Sequence, residues 1–143
     1  GLIVGHVRKD KADYFQRLEK LIQELGLQEI VYIATDLTNM PAVYAASDCV
    51  VSCSKKPESF GLTLVEALAM NTPVIATRHG GPLDIIEEGK NGTFFEPCYA
   101  DELASLLVRP VEKGEFREAT LQYFSLQQMS AGNLSVYNEV CQR

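Results

Sequence analysis

Five short apolar runs, separated by segments with helical periodicity, constrain this chain more than any other feature. The runs fall at residues 2–4, 30–34, 48–52, 73–76 and 93–95. Between them, apolar residues recur at helical spacing over 10–25, 41–46, 62–70 and 83–87. Parallel strands need a crossover between them, and a helix is the usual one. The alternation therefore predicts an α/β fold: one parallel sheet, helices on both faces, and right-handed connections. Further helices are expected over 101–108, 111–123 and 125–141, the last one final. The 143 residues suffice for one domain with its own core, and no linker or repeat divides them. The opening Gly1-Leu2-Ile3-Val4-Gly5 reads as an interior strand and no initiator Met precedes it, so the expectation is a domain truncated at its N-terminus.

Local signals place the boundaries. Tyr14, Leu18, Leu21, Ile22 and Leu25 form the apolar stripe of the first helix, and Gly26 is its stop. Asn39 precedes a short helix with Pro41 in its first turn. Asn71 is placed to end the helix that starts at Leu62. Ser125 and Gln128 have capping-box spacing. Cys49 and Cys53 share a face of the third run and read as small core residues.

Composition excludes several classes. A net charge of -6 opposes a duplex nucleic-acid binder, which needs a basic face. The four Cys form no CxxC pair and neither His lies near them, so no zinc site is expected and a reduced compartment is. No apolar run reaches membrane-spanning length, and no signal peptide is visible. Neither D-x-D, H-E-x-x-H nor a calcium loop occurs.

In open parallel sheets ligands bind beyond the carboxyl ends of the strands. Gly5-His6, Thr35-Asp36, the segment from Pro57 to Glu66, and His79-Gly80-Gly81 all follow predicted strands and are expected to converge there. In the third of these, a strand leads through Gly61 into a helix whose first N–H groups have no internal acceptor, a ready anion site. Glu58 and Glu66 flank it. A carboxylate repels phosphate, so these acids suit hydroxyl groups, and phosphate plus hydroxyls describes a sugar nucleotide. The alternative is a tight turn with solvated acids. Leu62, Leu64, Val65 and Leu68 read as core. Gly80-Gly81 is either a second phosphate-capable turn or a sharp corner. Lys55 and Lys56 form a solvated loop, or add positive charge near a diphosphate. His6 and His79 read as turn residues without a chemical role.

As an ordered set, these segments resemble a known family. Glu58-Ser59-Phe60-Gly61-Leu62-Thr63-Leu64-Val65-Glu66 is similar to the E-x7-E motif of retaining glycosyltransferases with the GT-B fold. Tyr44-Ala45-Ala46-Ser47-Asp48, Pro73 to Thr77 with His79-Gly80-Gly81, and Asp84 to Gly89 with Asn91-Gly92 resemble the flanking segments. The likeness is strongest to glycosyltransferase family four, which includes bacterial cell-envelope enzymes.

The resemblance implies a Rossmann-like, C-terminal half of a GT-B enzyme that binds the nucleotide-sugar donor. It implies that Glu58, the catalytic candidate, binds hydroxyls of the donor sugar. Ser59, Phe60, Gly61 and Leu62 would present N–H groups to sugar and diphosphate. Glu66 would hold the ribose, and Ala34 and Thr35 would edge the base pocket. Gly5 would match the first Gly of a G-x-G turn, with Val7 standing where the second belongs. It further implies no metal or other cofactor, a cytoplasmic setting with possible peripheral association with the inner membrane face, and a glycan or glycolipid acceptor bound by an N-terminal domain. A chain lacking that domain, and the strand before Gly1 whose loop supplies Arg and Lys to the diphosphate, would keep donor affinity without a complete cleft. Two other expectations stand beside this one: a non-enzymatic nucleotide-sugar-binding or interaction module, and a GT-B nucleotide-sugar epimerase or phosphorylase.

Overall fold

A computed structural model describes residues 1–7, 11–109 and 112–142. The predicted helix starts at Asp10 and Val111 lie outside the described residues. The chain groups into two compact units, Gly1–Met40 and Pro41–Arg143. Among the described residues every strand pairing is parallel, as the alternation of runs and helices requires, but the strands form two sheets, one in each unit, where a single sheet was expected.

In the first unit, β1 (Leu2–Gly5) pairs with β2 (Tyr32–Thr35), Val4 opposite Ala34 and Gly5 opposite Thr35. The crossover contains α1 (Ala12–Glu24). Gly26, at φ +66°, ends it as expected. Its N–H bonds the Gln23 carbonyl and the Leu27 N–H reaches back to Ile22, a Schellman closure. Two expectations need correction. Phe15, Leu18 and Ile22 are the half-buried residues of α1, whereas Tyr14, Leu21 and Leu25 are exposed. β2 begins two residues later than its apolar run, because the Ile30 and Val31 N–H groups both bond the Leu27 carbonyl in a turn.

In the second unit, β3 (Val50–Ser52), β4 (Val74–Thr77) and β5 (Gly92–Phe95) form a sheet in that order. β4 is central and buried along its whole length, which explains its continuous apolar character. α2 (Met40–Ala46) leads into this unit. α3 (Leu62–Ala69) links β3 to β4, and α4 (Pro82–Ile85) lies between β4 and β5. α5 (Ala100–Val108), α6 (Arg117–Phe124) and α7 (Leu126–Cys141) follow. Leu64, Ala67 and Leu68 sit at i, i+3 and i+4 on α3 and are fully buried. Burial of each leucine contributes roughly 1.5–3 kcal/mol. Leu62 was expected in the core but is 65% exposed, since it opens the helix, and Val65 is only half-buried.

β3 is shorter than its run. Cys49 is half-buried and Cys53 exposed, both outside the strand, so the pair does not form a core face. Burial pushes the Cys49 thiol pKa up. α3 ends on Asn71 at φ +60°: the Asn71 N–H bonds Leu68 O and the Thr72 N–H bonds Ala67 O. The Asn71 side chain does a second job. Its Oδ1 accepts from the Phe116 and Arg117 N–H groups, at 2.9 and 2.8 Å, and so fixes where α6 begins. The helix expected from Val111 therefore starts at Arg117. Ser125 caps α7 through the Gln128 N–H, as its spacing predicts. No helix among the described residues is long and apolar enough to cross a membrane.

Candidate functional site

The connection from β3 to α3 carries the two acids. Gly61 stands before the helix at φ +106° and ψ 47°, a conformation that disfavours a side chain. Its carbonyl accepts the N–H groups of Leu64 and Val65. The N–H groups of Leu62 and Thr63 belong to the first turn and have no acceptor within the helix. No acidic residue occupies that turn, and the helix dipole leaves it partly positive.

Glu58 is half-buried, and its Oε1 lies 3.0 Å from where a Cβ on Gly61 would stand. Among the described residues no side-chain hydrogen bond engages its carboxylate. Glu66 is held differently. On the exposed side of α3, its Oε2 accepts the Tyr44 hydroxyl at 2.8 Å. Tyr44 is 6% exposed, and burial together with the Glu66 carboxylate pushes its pKa up to about 12. Its hydroxyl is therefore protonated and donating throughout the neutral range. Tyr44 was quoted in the sequence only as part of a flanking segment; its partnership with Glu66, 22 positions away, has no local signal.

Gly80-Gly81 has a clear job. Gly80, at φ +66°, leaves only 2.5 Å between an imagined Cβ and the Glu58 carbonyl oxygen. At Gly81 the Cβ would stand 2.0 Å from the Phe60 carbonyl oxygen. The Gly81 N–H donates to the Glu58 carbonyl at 2.9 Å. Of the two readings of this turn, neither an independent phosphate site nor a simple corner describes it. It is a backbone seat for residues 58–60, and the Gly81 N–H is already used. Gly81 itself is helical, at φ -53°, so closeness and not backbone freedom demands glycine there. Phe124 at the end of α6 backs the same loop, its ring edge-on to Phe60 with centroids 5.8 Å apart.

The histidines differ from each other. His6 pairs through Nδ1 with Asp36 Oδ1 at 2.5 Å, both side chains exposed, beyond the carboxyl ends of β1 and β2 beside Gly5 and Thr35. Asp36 is at φ +58°, where β2 turns away. His79 has both ring nitrogens buried without a hydrogen-bond partner among the described residues. Lys55 and Lys56 are exposed. No group of three or more His, Cys, Asp or Glu side chains among the described residues is placed to hold a metal. The sequence candidates thus gather in two places: Gly5, Ala34 and Thr35 in the first unit, and Glu58, Ser59, Phe60, Gly61, Leu62 and Glu66 in the second.

The family model described as "Glycosyl transferases group 1" matches residues 2–124, and the chain belongs to that family. Mannosylfructose-phosphate synthase from Agrobacterium fabrum is 31% identical over 115 residues, covering 76% of this chain and 25% of that protein. A glycosyltransferase from Rickettsia africae superposes with TM-score 0.89 at 30% identity, covering 99% of this chain and 40% of the other. Anabaena HepE in complex with UDP and glucose gives TM-score 0.84 at 29% identity, covering 94% and 40%. The chain spans about a quarter of that first relative and two fifths of these two structures.

Proposed function

We propose that this chain is the donor half of a retaining glycosyltransferase that moves a sugar from a nucleoside-diphosphate sugar to a glycan or glycolipid acceptor. The observation that carries this reading is the unequal treatment of two carboxylates on either side of one helix start. The Glu58 carboxylate is packed over Gly61 with no hydrogen-bond partner among the described residues, and the Glu66 carboxylate is tied by one oxygen to Tyr44. Free N–H groups at the start of α3 suit the charge of a diphosphate. Glu58 then accepts from hydroxyls of the transferred sugar and Glu66 from the ribose. Gly5, Ala34 and Thr35 keep the donor contacts that the family resemblance implies for them. HepE was solved with UDP and glucose, which agrees in ligand class.

Catalysis in this reading is differential binding: groups aimed at the departing diphosphate act most strongly as its charge develops. The acceptor is bound by residues outside this chain, so the chain alone binds donor without transferring it. The reaction needs no metal, and the setting is cytoplasmic, with possible peripheral contact with the inner membrane face.

Isothermal calorimetry with UDP, GDP and ADP, each with and without sugar and with and without EDTA, tests the reading. One of the three is expected to bind, unaffected by EDTA. Folded protein that gives no heat with any of them would sink it. Glu66→Ala is expected to weaken ribonucleotide binding about tenfold, the size of a lost hydrogen bond to a charged group. The 2′-deoxy form should be little affected. Retention is read by NMR from the anomer of the product made by a full-length enzyme that contains this domain.

A further inference from the structure

A glutamate on the exposed side of a helix samples many rotamers, and fixing it costs side-chain entropy. Glu66 does not have that freedom, because the Tyr44 hydroxyl holds its Oε2 at 2.8 Å. The tyrosine is itself well fixed. It is buried on α2, and the Thr72 hydroxyl bonds its main-chain carbonyl at 2.7 Å. A carboxylate offers about four lone-pair positions. Tyr44 takes one, and Oε1 is left to receive a ligand hydroxyl.

We propose that Tyr44 is a positioning residue whose buried hydroxyl presets the Glu66 carboxylate for the ribose of the donor, so that discrimination between ribose and deoxyribose depends on a side chain that does not touch the ligand. The proposal rests on the donor-site reading above. Preorganisation of this kind raises affinity by removing an ordering cost at the moment of binding. The competing role is purely structural, Tyr44 holding α2 against α3. That role would alter stability, and would alter affinity for every nucleotide equally.

The test is calorimetry of wild type, Tyr44→Phe, Glu66→Ala and the Tyr44→Phe/Glu66→Ala double variant. The probes are UDP, GDP and ADP, each against its 2′-deoxy counterpart, with melting temperatures alongside. Tyr44→Phe keeps the ring and its burial. It is expected to lose up to about tenfold in affinity for the ribonucleotide that binds, and less than about twofold for its deoxy form. In the Glu66→Ala background, Tyr44→Phe should have no further effect, because the two act as one unit. Unchanged discrimination in Tyr44→Phe, equal losses for ribo and deoxy forms, or additive losses in the double variant would each overturn the proposal while leaving the donor site standing. Wild type that binds both sugars equally would instead remove the role of Glu66, and that of Tyr44 with it.

Discussion

At the scale of single residues, the donor loop is located by atoms that glycine lacks. A methyl group at Gly81 would meet the main chain of Phe60, which cannot rotate away as a side chain can. Gly81→Ala is therefore expected to destabilise the second unit by on the order of 3 kcal/mol, through overpacking against backbone. It should also displace residues 58–60 and abolish measurable nucleotide binding. Gly132→Ala is the control: nothing lies within 4 Å of its Cβ position in α7, and alanine there should raise stability by roughly 0.5–1 kcal/mol. Urea unfolding of the two variants beside wild type checks both signs. Nothing local in His79-Gly80-Gly81 announces this seat. Two glycines before a proline signal a bend, but what they approach is set by a segment some twenty residues earlier.

At the scale of elements, strand centres were legible and strand ends were not. Val74 and Ile75 are apolar because both faces of β4 are covered, and a run of that kind reads directly from the sequence. The start of β2 depends on which carbonyl claims the Ile30 and Val31 N–H groups, and hydropathy does not record that. The stops at Gly26 and Asn71 were readable because each supplies the left-handed residue its closure needs. The start of α6 was not, because it is fixed by the side chain of Asn71, more than forty positions away. This makes Asn71 a residue with two separable duties. Asn71→Gly keeps the left-handed turn and loses the acceptor for Phe116 and Arg117. Asn71→Ala loses both. Thermal melts are expected to rank wild type above Asn71→Gly above Asn71→Ala, with successive gaps of about 1–2 kcal/mol.

At the scale of the molecule, the fully buried side chains all lie in the second unit, among the described residues. Local opening follows buried contact, so the two units should differ in protection from hydrogen exchange. In protein without ligand, amides of β4 are expected to exchange most slowly, and those of β1 and β2 much faster. Addition of the nucleotide that binds should slow exchange at the start of α3. If Gly5, Ala34 and Thr35 contribute to the donor as proposed, it should slow exchange at the ends of β1 and β2 as well. Protection confined to the second unit on binding would remove those three residues from the site. The parallel α/β class and the strand–Gly61–helix course of the segment carrying Glu58 and Glu66 were legible because each is a pattern along the chain. The support behind that segment, from Tyr44, Gly81 and Phe124, is a pattern only in space.

Because main chain meets main chain at Gly81 and Phe60, the loop keeps its place whatever side chains it displays. Ser59 and the 65%-exposed Leu62 are then free to drift without unfolding the domain around them. A change there alters what the loop displays and leaves its course through space as it was.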